Sequence, residues 1–401
     1  MKQAGNMASP GATSALHRAP ERQTLTPRER VARCLARKPH DRVPVFDWWW
    51  METEIAYLRE INDPRIAYEF SSPGVEAAHI ARRGEGLTLW EYFDMDLLQV
   101  GWPDQRLRMV DPVVIEESDD WVIQRDGNEA TLRWWKHRMG TPEHLGYGID
   151  SPEKWRAAKA ALRPARERIR WAEFLPKYKR ARRDERFLCY TSVEIIESVK
   201  DSLGHEQMLR AMIKRPEWLH DVFDTYTTFL IEMFDLAVAG GLVCDGAFIY
   251  GDIAYKNGPF MSPRHYREFV QPYHRRLFDA FHARGMPVMF HSDGDIRPIL
   301  DDLIAAGVDM INPLESRAGM DVRELAPRYG DRLGFCGNID VTVLATNDRE
   351  QIRAEIESKM RAAMAHHGYM YHSDHSIPPG VRLDTYRFVL DEVRRIGHYG
   401  D

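Results

Sequence analysis

His291-Ser292-Asp293-Gly294 puts an imidazole and a carboxylate two positions apart, just past an apolar run. In an extended segment residues i and i+2 face the same way, so these two side chains converge on one point. Such a pair can share a metal ion or work as an acid–base couple. A histidine merely held by a neighbouring carboxylate is the plainer reading of the same pattern. A second dense stretch is His372-Ser373-Asp374-His375-Ser376-Ile377-Pro378-Pro379. It carries two imidazoles and a carboxylate ahead of a Pro-Pro pair that forces an extended exit. Joined to His291 and Asp293, it offers a two-histidine, one-carboxylate set suited to zinc, ferrous iron or similar ions. A hydrogen-bonded loop anchor is the alternative.

More polar residues stand at the ends of apolar runs: Asp47, Asp252, Asn312, Glu315, Asn338 and Asp340. Lysine and arginine are nearly absent from these ends. Trp48-Trp49-Trp50 follows Asp47 directly, and three indoles there can line an apolar or aromatic pocket or pack as core. Residues with this placement need short buried strands to carry them. The runs at 43–46, 187–190, 243–249, 286–290, 308–311, 333–336 and 369–371 have that character, and helical patterns separate most of them. Strand–helix alternation with short connections predicts a parallel sheet covered by helices. The number of units predicts a closed (β/α)8 TIM barrel, whose chemistry sits on the loops after the strands. Residues 107–138 differ, with alternating β-branched and aromatic residues around Asp126-Gly127-Asn128, a hairpin signal. They predict an inserted β-meander. Residues 51–100 read as mainly helical. Thr26-Pro27-Arg28-Glu29 has capping-box spacing with proline at the first helical position, so a helix should start there. Residues 1–25 read as a disordered tail, and 26–401 as one barrel domain.

The composition narrows the classes. The 401 residues hold 55 Lys+Arg against 61 Asp+Glu, a formal net charge of −6. That argues against nucleic acid as a partner, which needs a basic field. No apolar run is long enough to span a membrane. There is no apolar signal-peptide core, and Cys34, Cys189, Cys244 and Cys336 form no CxxC pair. The expectation is a reduced, cytoplasmic protein acting on a small molecule. A homodimer is left open. No dinucleotide fingerprint or P-loop is present.

From residue 240 onward the chain resembles the uroporphyrinogen decarboxylase superfamily. The matching words are Asp245-Gly246 with Tyr250-Gly251-Asp252, and Gly258-Pro259-Phe260-Met261-Ser262-Pro263. They continue with His291-Ser292-Asp293-Gly294, Asn312-Pro313-Leu314-Glu315, Gly337-Asn338-Ile339-Asp340 and Ser373-Asp374-His375-Ser376-Ile377-Pro378-Pro379. The opening from Arg28 to Val45 fits the family's entry helix and first strand. The resemblance implies the same barrel, with its pocket at the strand ends. With the strand-end placement it makes Asp252, Asp293, Asn338 and Asp374 catalytic candidates and Asn312 and Glu315 substrate contacts, while Asp47, Trp48 and Trp49 are substrate-contact candidates from their placement alone. True uroporphyrinogen decarboxylases carry an arginine-rich word after the first strand, where this chain has Asp47-Trp48-Trp49-Trp50-Met51-Glu52. An acidic, aromatic lip there repels a polyanionic tetrapyrrole. The meander and the strand-end words look closer to the cobalamin-dependent methyltransferase branch. That branch binds zinc through a His-x-Cys word and a later cysteine before the terminal Pro-Pro. On this chain those positions are His291, Asp293 and His375, with both thiolates replaced.

Three functions follow as expectations. The first is methyl transfer or O-demethylation of a small, even aromatic, substrate with a corrinoid partner and a divalent metal such as zinc at His291, Asp293 and His375. The second is a decarboxylase needing no cofactor, in which Asp252 stabilises developing positive charge. The third is a barrel that binds a small molecule without turnover.

Overall fold

Apolar runs flanked by turn residues become strands buried on both faces, and eight such segments close a ring in the computed structural model, which describes residues 25–63, 65–66, 86–137 and 140–400. Leu97–Gly101 forms β1, buried along its whole length. Four strands follow: β2 Val113–Glu117, β3 Trp121–Arg125, β4 Ala130–Trp135 and β5 Glu143–Tyr147. The chain returns with β6 Phe187–Val193 and β7 Gly246–Tyr250, then a small pair, β8 Ala254–Tyr255 and β9 Gly258–Pro259. The last strands are β10 Val288–His291, β11 Met310–Asn312, β12 Gly334–Cys336 and β13 Tyr369–Met370. Seven of these pair in the order β1-β6-β7-β10-β11-β12-β13, every pair parallel.

The extended segment 43–46 supplies the eighth stave. Tyr371 N–H donates to Pro44 O at 2.9 Å, and Phe46 N–H donates to Tyr371 O at 3.1 Å. On its other side Asp96 N–H donates to Val45 O at 2.8 Å. The ring is therefore closed, and the fold is a TIM-barrel-like (β/α)8 architecture. Helices at Ile195–Leu203, Pro216–Ala239, Gln271–His282, Leu300–Ala306, Val322–Tyr329, Arg349–Ala363 and Leu383–Ile396 lie between and after the strands. Their apolar stripes cover the outside of the barrel, as a parallel sheet requires.

At the barrel's entry, Pro27–Leu35 is a helix with Thr26 and Glu29 forming the capping box. Its Arg30 is fully buried. Arg30 Nη1 donates to Asp96 at 2.6 Å, and Arg42 Nη1 donates to the other Asp96 oxygen at 2.8 Å. Asp96 also accepts the Val45 N–H at 2.7 Å. Burial alone would raise the Asp96 carboxyl, but the two guanidiniums hold it below its ordinary range. This ion cluster pins the first stave to β1.

Two expectations change. The stretch 51–100 holds a helix at Met51–Ile61 and a short one at Leu89–Tyr92, but Leu97–Gly101 is a barrel strand. Gln99 interrupts its apolar run, and leucine favours helices, so the segment has little β signature. The meander pairs in sequence order β2-β3-β4-β5 and continues past 138 to Tyr147. Its fourth strand is a largely exposed edge without apolar alternation. Residues 1–24 of the expected tail, and 67–85 of the expected helical stretch, lie outside the described residues. Among the described residues no helix is long and apolar enough to cross a membrane.

Candidate active site

Tyr250 at the end of β7 and His291 at the end of β10 are register partners. Two residues beyond each come Asp252 and Asp293. Gly251 N–H donates to His291 O, and Asp293 N–H donates to Asp252 Oδ1, both at 2.9 Å. The loops after two neighbouring strands are thus laced together, and their side chains meet. His291 Nε2 stands 3.9 Å from Asp252 Oδ1 and 3.9 Å from Asp293 Oδ1. One ligand atom from each of Asp252, His291 and Asp293 lies within 4.8 Å of the other two.

The tautomer of His291 is set from behind. Asn312 at the end of β11 donates its amide to Cys336 O at 3.0 Å, which turns Asn312 Oδ1 toward His291 Nδ1 at 2.7 Å. With Asn312 Oδ1 as its acceptor, Nδ1 carries a proton, and Nε2 is the ring nitrogen turned to the two carboxylates. Asp293 Oδ1 is buried and has no hydrogen-bond partner. Burial raises the Asp293 carboxyl; His291 and His375 oppose this, while Asp252 and Glu315 add to it. An imidazole nitrogen beside two carboxylates, one oxygen unpaired, is a donor set that fits a hard or borderline divalent ion.

The grouping differs from the expected one, because Asp252 rather than His375 completes it. In the ring β7 is the direct neighbour of β10, whereas β13 is separated from it by β11 and β12. His375 still reaches the site, with Nε2 3.5 Å from Asp293 Oδ2. Its ring stacks on Trp50 at 5.4 Å with the planes 22° apart. The site's wall is aromatic: Tyr250 lies 4.6 Å from His291, and Trp48 and Trp102 lie 5.6 and 4.9 Å from Tyr250, centroid to centroid.

The uroporphyrinogen decarboxylase (URO-D) family profile matches residues 195–396, half of the chain. The chain belongs to the URO-D family. A uroporphyrinogen decarboxylase of Thermus thermophilus is 27% identical over 139 residues, covering 34% of this chain and 38% of that protein. Its counterpart from an Anaeromyxobacter species is 26% identical over 192 residues, 48% of this chain and 52% of that one. The chain spans about half or less of the length of these curated relatives. A methyltransferase from Methanosarcina mazei superposes with a TM-score of 0.64 at 16% identity, covering 92% of this chain and 98% of that one. That likeness is one of fold.

The other candidates of this URO-D-family chain are spread between site and scaffold. Glu315 is half-buried and accepts the Gly294 N–H at 2.9 Å. A Cβ on Gly294 would come within 2.6 Å of Tyr255 N, and its φ is +84°, so that turn needs glycine. Asp47 is fully buried and accepts bonds from the hydroxyls of Ser373, Tyr371 and Tyr386 and from the Trp48 N–H. Burial pushes its carboxyl up to about 6, against those donors. Trp49 is core, packed on Phe93 and Tyr386. Asn338 and Asp374 hold loops. Asn338 donates to Leu314 O at 2.7 Å and accepts from Val322 N–H at 2.9 Å. Asp374 accepts the N–H groups of Ser316 and Val341 at 3.0 and 2.8 Å, and burial raises it to about 6. His372 is buried beside Asp47 and pushed down to about 3 by burial.

Three residues at the site escaped the sequence reading, Trp102, Tyr250 and Glu197, whereas Trp50 belongs to the indole triplet already named as a pocket wall. Trp50 is the most exposed of its triplet, at 41%. Glu197 stands on the helix after β6 and accepts the Asp252 N–H at 3.0 Å. Burial pushes Glu197 up to about 7, with Lys200 opposing. A lone Glu-x-x-Lys on a helix is ordinary surface chemistry in sequence, so nothing there marks it.

Proposed function

We propose that this protein transfers a methyl group, or demethylates a small O-methyl substrate, aromatic substrates included, at a divalent-metal centre built from Asp252, His291 and Asp293, with a corrinoid protein as methyl carrier. The observation that carries the reading is His291 Nε2, turned by Asn312 toward two carboxylates of which one oxygen is unpaired. The fold shared with a methyltransferase supports it. A bound divalent ion would act as a Lewis acid and lower the pKa of an oxygen or thiol ligand. Asp252 and Asp293 would supply its negative ligands, and His291 a neutral one. His375, beside Asp293, would hold or deliver a proton at Nε2. Trp50, Trp48 and Tyr250 would bind an apolar or aromatic body. Four free cysteines, buried or half-buried, suit a reduced cytoplasmic setting.

Family membership favours one second reading, cofactor-free decarboxylation. Asp252, Asp293 and Glu315 would have to accept a carboxylate substrate, and among the described residues the basic side chains 3.5–3.9 Å from Asp252 and Asp293 are histidines, with no lysine or arginine. A polycarboxylate faces repulsion there. Turnover assayed with and without chelator separates the two. Loss of methyl transfer on chelation, restored by zinc, is the expected result; decarboxylation that survives chelation would decide for the second reading.

A further inference from the structure

We infer that Glu197 is a positioning residue for the Asp252 arm of this site, working by reach rather than by charge. The inference rests on the proposed reading only in taking Asp252 as a member of the centre.

Gly251 N–H donates to His291 O at 2.9 Å and Ile253 N–H to Ser292 Oγ at 3.2 Å, so the N–H between them, that of Asp252, is the one that Glu197 holds. The Asp252 side chain is 40% exposed. Gly251 before it lies so close to the helix after β6 that a Cβ would sit 2.2 Å from Glu194 Cγ. That helix start is itself rigidly fixed. Glu194 accepts the N–H groups of Ile196 and Glu197 at 2.7 and 2.8 Å, and His274 Nε2 stands 2.7 Å from it, both side chains fully buried. His274 Nδ1 is anchored in turn on the Tyr266 hydroxyl at 3.0 Å. From this fixed base Glu197 Oε1 takes the Asp252 N–H at 3.0 Å, while Lys200 one turn on donates to the same oxygen. The Glu197 and Lys200 side chains are 17% and 21% exposed. Asp252 then accepts Asp293 N–H through Oδ1. Displacing the Glu197 oxygen leaves the Asp252 N–H without its acceptor between two bonded neighbours, and so shifts the spacing between Asp252, His291 and Asp293.

Two conservative variants separate reach from charge. Glu197→Gln keeps the acceptor at the same distance and removes the charge. Glu197→Asp keeps the charge and withdraws the acceptor by one methylene. The readouts are the His291 imidazole NMR resonance in the metal-free protein and, separately, zinc affinity by chelator competition. The expected result is that Glu197→Asp moves the resonance and weakens zinc by roughly 10–100-fold, the range for lost outer-shell partners, while Glu197→Gln stays near wild type. In an Asp252→Ala background Glu197→Asp should change neither readout further. The reverse order of the two variants, or equal effects of Glu197→Asp in both backgrounds, would overturn the inference. If the wild-type protein binds no zinc, the metal reading fails, and the His291 resonance still decides this one.

Discussion

His291 is useful only because of what lies behind it. Its Nδ1 partner Asn312 fixes the ring's orientation and so which nitrogen turns to the carboxylates. Asn312→Leu removes that lock without adding charge. Metal affinity should then fall by roughly 10–100-fold, as losses of such partners do elsewhere; competition against a chromogenic chelator checks it. Affinity must also fall as pH drops, since the imidazole has to be neutral to ligate. Asp374 makes a different kind of prediction. Its folded carboxyl is raised to about 6, above the unfolded value near 3.9. Between those values the folded state holds a proton that the unfolded state has released, so acidification favours folding at this group. Relative to Asp374→Asn, the wild-type protein should gain roughly 2 kcal/mol as pH falls from 7 to 4, taking about 1.4 kcal/mol per unit of pKa shift less the part lost as the unfolded carboxyl begins to protonate. Urea melts of both proteins across that range measure it; parallel curves would contradict it.

At the scale of elements, the strand ends were readable and the ring order was not. The pattern of short apolar run followed by acid, amide or imidazole marks β7, β10, β11, β12 and β13 because both faces of a barrel strand are buried. Leu97–Gly101 lacks that mark, since Gln99 divides it and its Tyr250 hydroxyl partner is remote in sequence. The grouping at the site depends on the same ring order. Local spacing aligns His291 with Asp293, but only the pairing of β7 beside β10 brings in Asp252 and leaves His375 at the edge. Glu197 was invisible because its partner is a backbone N–H 55 residues away. The entry cluster was equally hidden, being four charges, Arg30, Asp41, Arg42 and Asp96, that look solvated in sequence and have their side chains buried in the fold. Asp96→Ala leaves Arg30 and Arg42 buried without their shared partner and should cost about 3–5 kcal/mol. Denaturant unfolding tests this, and a loss under about 1 kcal/mol, the size of an exposed pair, would show that the arginines find other partners.

For the whole molecule, charge placement restricts the substrate. The chain carries a net charge of −6, and Asp252, Asp293 and Glu315 gather at one mouth of the barrel. A field of that sign slows and weakens the approach of anions and favours cations and neutral molecules. A polycarboxylated tetrapyrrole should therefore bind at least about tenfold more weakly than its ester, a difference near 1.4 kcal/mol. Quenching of the tryptophans around the site reports either ligand, and tighter binding of the acid would contradict the electrostatic argument.

Metal stoichiometry in the purified protein and three single-site variants tests the central claim most directly. Equilibrium dialysis against zinc at neutral pH, followed by elemental analysis, should give about one equivalent in the wild-type protein, because the imidazole is then free to ligate. His291→Ala and Asp252→Ala should each lose most of it, and His375→Ala should keep it. Less than about one tenth of an equivalent in the wild-type protein, under conditions where its ligands are deprotonated, would contradict the account. Retention in Asp252→Ala with loss in His375→Ala would contradict the assignment of the centre to Asp252, His291 and Asp293.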